Sequence, residues 1–229
     1  MPSPFQNQKP PDRSPRTKNE KGILTILGFF FALFLSMELA RDFTIAKLSV
    51  PFFLISYVIL LWIHEMGHAL MARSVGWRVS LISIGSGKVR GTGRILGMPI
   101  EYRTIPLSGF VRPQPTDMIA PRLKEFLIYA AGPGIELLLV AIAVLVLGSD
   151  TLLQRSPDVG ILAVQSFLVA ALFGALMNLI PLPHQTDKGV AWSDGLGMIL
   201  CWKLPDEWFR DRILQPEPDT HDRENSRPT

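Results

Sequence analysis

Cysteine is nearly absent: Cys201 is the only one in 229 residues. That excludes an internal disulfide and any metal site built from paired thiolates. Charge is scarce too. Asp, Glu, Lys and Arg make up 19% of the chain, against about 25% in ordinary soluble domains. The net charge is only +3, so no nucleic-acid partner is expected. Histidine is limited to His64, His68, His184 and His221. Any metal would have to use these and carboxylates.

What is abundant is apolar sequence, 48% of all residues, and it is clumped rather than dispersed. About 20 apolar residues cross a bilayer. Residues 22–40 form a first run whose only charge is Glu38. A second covers 45–72, a third 126–148 and a fourth 159–180. The region 73–125 differs: basic residues outnumber acids, β-branched segments partly alternate, and glycines punctuate them. It reads as short strands or hairpins, with Gly85-x-Gly87 as turn glycines rather than a phosphate loop. The expectation is an all-α polytopic membrane protein with about four transmembrane helices and a small β-hairpin region between spans two and three.

The expected organisation has three parts. Residues 1–21, proline-containing and basic, form a disordered tail. Residues 22–200 are the membrane-embedded core, and 201–229 a polar tail, acidic and mobile beyond Pro205. The basic start is long and no small-residue cleavage site follows it, so the first run is read as a retained span. Basic residues concentrate in the N-terminal tail and in 73–125, while the opposite links carry Arg41, Lys47 and Arg155. The positive-inside rule then places both termini in the cytoplasm of a multi-pass protein, by default in a bacterial inner membrane.

The second run ends in His64-Glu65-Met66-Gly67-His68. Residues four apart share a helix face, so both imidazoles can serve one ion. Glu65 can reach a water bound to that ion. This is the His-Glu-x-x-His pattern of zinc hydrolases, set in a membrane span. A catalytic zinc takes three protein ligands and keeps one open position. Asp194, Asp187, His184, Glu136 and Asp117 are the candidates for the third ligand. Asp194 opens a helix-like run beginning with Gly195, which favours it.

Further along lie Pro106-Leu107-Ser108-Gly109-Phe110-Val111, then Ala131-Gly132-Pro133, then Asn178-x-x-Pro181-x-Pro183 followed by Asp194-Gly195. With His64-Glu65-x-x-His68, and in this order, they resemble the site-2 protease family of intramembrane zinc metalloproteases, peptidase family M50-like. The likeness covers roughly residues 45–200. It implies one zinc ion held by His64, His68 and Asp194, with Glu65 as catalytic base and Asn178 helping to hold substrate or oxyanion. It also implies transmembrane proteins as substrates, met within the lipid bilayer. Two departures stand out. The gap from Pro183 to Asp194 is longer than in many members, which keeps Asp187 as the alternative ligand. Glu136 stands where the family usually has Asn, and a carboxylate at membrane depth needs a partner or a polar cavity.

Other readings compete. Asn178 could bond between helices. Gly132 and Pro133 could serve helix packing alone. Pro106 to Val111 is an edge strand for an extended substrate or a plain loop. His221 reads as a solvated tail residue. A non-catalytic scaffold that binds partner helices is the alternative to the enzyme. A metal transporter would want ligands on several spans, and the first offers few.

Overall fold

The structure is a computed structural model describing residues 29–38, 40–41, 43–186 and 189–214, without side chains at 184–186 and 189–190. The expectations for 1–28, Asp187 and His221, and for the His184 side chain, lie outside the described residues.

Helix α1 (Phe29–Glu38) is a short apolar helix. A 3-10 turn (Ile45–Leu48) leads into α2 (Ser49–Ser74). Lys47 Nζ donates to the Glu38 and Arg41 carbonyls, each at 2.6 Å, tying the two helices together. Pro51 sits in the first turn of α2, where its missing N–H costs nothing. At the other end Gly76, with φ +85°, closes the helix. Its N–H reaches the Arg73 carbonyl and the Trp77 N–H the Ala72 carbonyl, a Schellman pair.

Strands β1 (Arg78–Ile95) and β2 (Met98–Gln114) follow as one antiparallel hairpin. They are longer than expected and bend at bulges. Ile82 faces both Val111 and Ile100, and Ser83 both Phe110 and Glu101. The two strands therefore fold into four segments, with the start of β1 lying between the two halves of β2.

Helix α3 (Pro121–Leu147) starts at a proline pre-set for the first turn. It begins five residues before the expected third span. A short α4 (Ser149–Leu153) precedes α5 (Val159–Leu179), which is capped by Asp158 accepting from the Ile161 N–H at 2.9 Å. Three helical segments, Ile45–Ser74, α3 and α5, are long and apolar enough to cross a membrane. They correspond to expected spans two to four, so the chain is a multi-pass membrane protein. For span one, only the ten-residue α1 lies among the described residues. The helices pack together closely. A Cβ on Gly67 would lie 2.8 Å from the Ala131 carbonyl, so α2 meets α3 backbone to backbone.

After α5 come a small antiparallel hairpin, β3 (Pro183–Thr186) with β4 (Gly189–Trp192), and helix α6 (Asp194–Leu200). Helix α7 (Asp206–Leu214) corrects the expectation of a mobile tail beyond Pro205. Phe209 is completely buried, with Trp77 at 6.3 Å between ring centroids. Arg212 reaches the Pro113 carbonyl at 2.5 Å and Glu125 Oε1 at 3.6 Å. One buried aromatic and one arginine dock this short acidic helix.

Candidate metal centre

His64, Glu65 and His68 lie in the last three turns of α2, all buried. Ser74 is ten residues beyond His64 and six beyond His68, so the pair sits ~9–15 Å inside that end of the helix. The Nε2 atoms of His64 and His68 face each other at 3.0 Å. Asp194 brings Oδ2 to 3.0 Å from His64 Nε2 and Oδ1 to 3.3 Å from His68 Nε2. These three residues form a group able to hold a metal ion.

The partners of the other ring nitrogens decide what the cluster can bind. His68 Nδ1 is 2.6 Å from the Ile128 carbonyl of α3. A carbonyl only accepts, so Nδ1 carries the hydrogen and Nε2 keeps its lone pair. His64 Nδ1 faces Glu136 Oε2 at 3.3 Å, a contact that favours the same tautomer. Two imidazole lone pairs and a carboxylate then point at one another. An all-acceptor set at this spacing repels itself unless a cation lies between. Two nitrogens and a carboxylate oxygen fit zinc with a position left open. Glu65 Oε2 is buried and has no hydrogen-bond partner among the described residues, as suits a base that awaits a water.

Helix α3 makes room for this pair. A Cβ on Gly132 would overlap the His68 ring and lie 2.6 Å from His64 Nε2. Gly132 therefore does more than let helices pack: it admits both imidazoles. The next residue, Pro133, has no N–H for the Tyr129 carbonyl and interrupts the helical ladder beside the Ile128 carbonyl that His68 uses. Strand β2 covers the other side. A Cβ on Gly109 would lie 2.5 Å from Glu65 Oε1, and Tyr57 donates to the Leu107 carbonyl at 3.1 Å. Extended backbone therefore runs over the acid.

The long gap before Asp194 also has a physical account. The extra residues form the β3–β4 hairpin, whose ends meet at Pro183 and Trp192. The chain thus returns to where it left. Ser193 Oγ donates to the Ile180 carbonyl at 2.7 Å and accepts from the Leu182 and Leu196 N–H groups at 3.0 and 3.3 Å. It caps α6 and straps it to the end of α5. Ser193→Ala is expected to lower stability by about 0.5–2 kcal/mol. Thermal melting in detergent reads this, and an unchanged midpoint would remove the strap from the account.

The other candidates fall elsewhere. Asp117 is bound by Lys124 at 2.8 and 3.0 Å, and that ammonium holds its carboxyl below the ordinary aspartate range. It belongs to the surface, not to the centre. Glu136 stands behind His64 rather than in the cluster. Asn178 is half-buried near the end of α5. The Cys201 thiol is pushed up to about 11 by burial and by the nearby Glu125 charge, which leaves it inert.

Fold and site together define a class: a multi-pass membrane protein with a His-Glu-x-x-His helix and a distant aspartate converging between its spans. Residues 52–156 match the family model of Peptidase family M50. The chain is 31% identical over 121 residues to "Putative zinc metalloprotease Cj1068" of Campylobacter jejuni, covering 47% of this chain and 33% of that protein. It is 38% identical over 53 residues to "Putative zinc metalloprotease" of Helicobacter pylori, covering 23% of this chain and 15% of that protein. It is 37% identical over 81 residues to "Protease RseP" of Yersinia pestis, covering 34% and 18%. The chain thus spans a third or less of the length of these curated relatives. Over residues 52–156 the chain is similar to Peptidase family M50, and the relatives it resembles bear the names of zinc metalloproteases and a protease.

Proposed function

We propose that the chain is an intramembrane zinc endopeptidase that cuts peptide bonds in or near transmembrane segments of membrane proteins. The observation that carries this is the all-acceptor cluster of His64, His68 and Asp194, with Glu65 unpartnered beside it and three apolar helical segments around it. His64 Nε2, His68 Nε2 and the Asp194 carboxylate would hold the zinc. When bound, zinc supplies Lewis-acid activation of water and of the scissile carbonyl. Glu65 takes the proton from the attacking water and hands it to the leaving amine. Asn178, near the end of α5, supports substrate or oxyanion. The backbone at Leu107 and Gly109 lies next to Glu65, where an extended substrate can add alongside it. A helical amide is already hydrogen-bonded, so the substrate helix must unwind locally first.

Orientation is part of the proposal. Arg73 lies in the last turn of α2, and Arg78, Lys88, Arg90 and Arg94 follow in β1. The positive-inside rule then puts this end, and both termini, in the cytoplasm, in a bacterial inner membrane. The β3–β4 hairpin explains the spacing before Asp194, which favours Asp194 over Asp187 as third ligand.

Purified chain, incubated with a synthetic transmembrane substrate, is expected to cleave it and to lose that activity to a zinc chelator. Absence of chelator-sensitive cleavage would leave a non-catalytic scaffold as the reading. Asp194→Ala is expected to lose bound zinc while Asp187→Ala keeps it, measured as zinc per chain after dialysis. The reverse pattern would transfer the ligand to Asp187.

A further inference from the structure

We infer that Glu136 is a positioning residue for His64: its carboxylate holds the Nδ1–H and thereby aims Nε2 at the metal. This rests on the zinc reading above and adds to it a specific outer contact. Glu136 is 3% exposed, on α3, and its Oε2 lies 3.3 Å from His64 Nδ1. The two atoms are not aligned as a linear hydrogen bond, yet neither has another partner among the described residues. Two buried orphans facing each other are each other's available partner.

Three helices build this contact. Glu136 comes one turn after Gly132, so both lie on the same face of α3. Gly132 admits the imidazoles and Glu136 backs one of them. From α5, Gly174 leaves the space that the carboxylate fills: a Cβ there would lie 2.9 Å from Glu136 Oε1. The contact is on the far nitrogen of His64, so Glu136 cannot share the shell formed on Nε2. A carboxylate at membrane depth is costly without a partner, and His64 Nδ1 is the group it faces. The two imidazoles are thus held differently, His68 by a neutral carbonyl and His64 by a charged carboxylate. Carboxylate–histidine–metal contacts of this kind fix ring orientation and raise ligand basicity, and losing one typically weakens metal affinity about 10–100-fold.

The test uses the full chain in detergent, stripped of metal and titrated with Co2+ in competition with a chromophoric chelator. Glu136→Gln keeps the shape and an acceptor but removes the charge. Glu136→Leu removes both. Both are expected to weaken Co2+ binding, Leu toward the 100-fold end and Gln toward the 10-fold end. Both are expected to change the visible spectrum of the Co2+ form. Gly174→Ala, which displaces Glu136 without altering it or His64, is expected to weaken binding as well. Melting of metal-free Glu136→Gln is expected to match wild type. Wild-type affinity and spectrum in Glu136→Gln and Gly174→Ala would overturn the proposal. So would an affinity loss in Glu136→Gln matched by an equal destabilisation of the metal-free chain. Failure of wild type itself to take up Co2+ would overturn the zinc reading, and this proposal with it.

Discussion

Glu65→Gln is expected to abolish cleavage while leaving fold and metal content intact. Glutamine has the shape of glutamate but cannot take a proton from water at neutral pH. Glu65 is 4% exposed and enclosed, with Gly109 against one oxygen and no partner on the other. An isosteric change there creates neither cavity nor clash. His64, His68 and Asp194 are untouched, so the ion stays. A positioned general base contributes about 10²–10⁴ in rate. Because the proposed mechanism uses Glu65 for both proton transfers, the loss is expected near the upper end of that range. Initial rates on a synthetic transmembrane substrate, with zinc per chain measured on the same samples, make the comparison. A variant cutting within tenfold of wild type would remove Glu65 from the chemistry.

Gly132→Ala is expected to empty the metal site with one methyl group. The added carbon would overlap His68 and crowd His64 Nε2 at 2.6 Å. Neither imidazole can retreat easily. His68 is tied to the Ile128 carbonyl, and α2 is held to α3 by the Gly67–Ala131 contact. The helix itself gains, because alanine is preferred over glycine in a helix interior by up to ~1 kcal/mol. Metal loss and helix stability therefore move in opposite directions, which separates this effect from general unfolding. Zinc affinity is expected to fall by at least about 10²-fold, the far end of what changes around a ligand shell produce. Equilibrium dialysis against zinc, with circular dichroism to follow helix content, reads both. Full zinc occupancy with wild-type cleavage would contradict the geometry at Gly132.

Much of the fold is legible in the amino-acid sequence. The three long apolar helical segments follow from uninterrupted runs, and the metal motif from the four-residue helical spacing. Both are local properties, and burial in lipid only reinforces them. The hairpin region is legible from glycine turns and β-branched segments. Its bent, four-segment form is not, because bulges depend on which distant residues pair. Helix α7 escapes a sequence reading because nine mostly polar residues carry a weak pattern. Phe209 and Arg212 become informative only once Trp77, Pro113 and Glu125 stand opposite them.

The site divides the same way. Sequence alone determined that His64 and His68 share a face, with Glu65 beside them, because one helical turn carries all three. Only the tertiary structure brought Asp194 to them, since that required a hairpin to return the chain and Ser193 to strap it to α5. Only the tertiary structure put Gly132 under the imidazoles and Glu136 behind His64. Those contacts join different helices, and separation along the chain says nothing about distance between helices until their faces have packed.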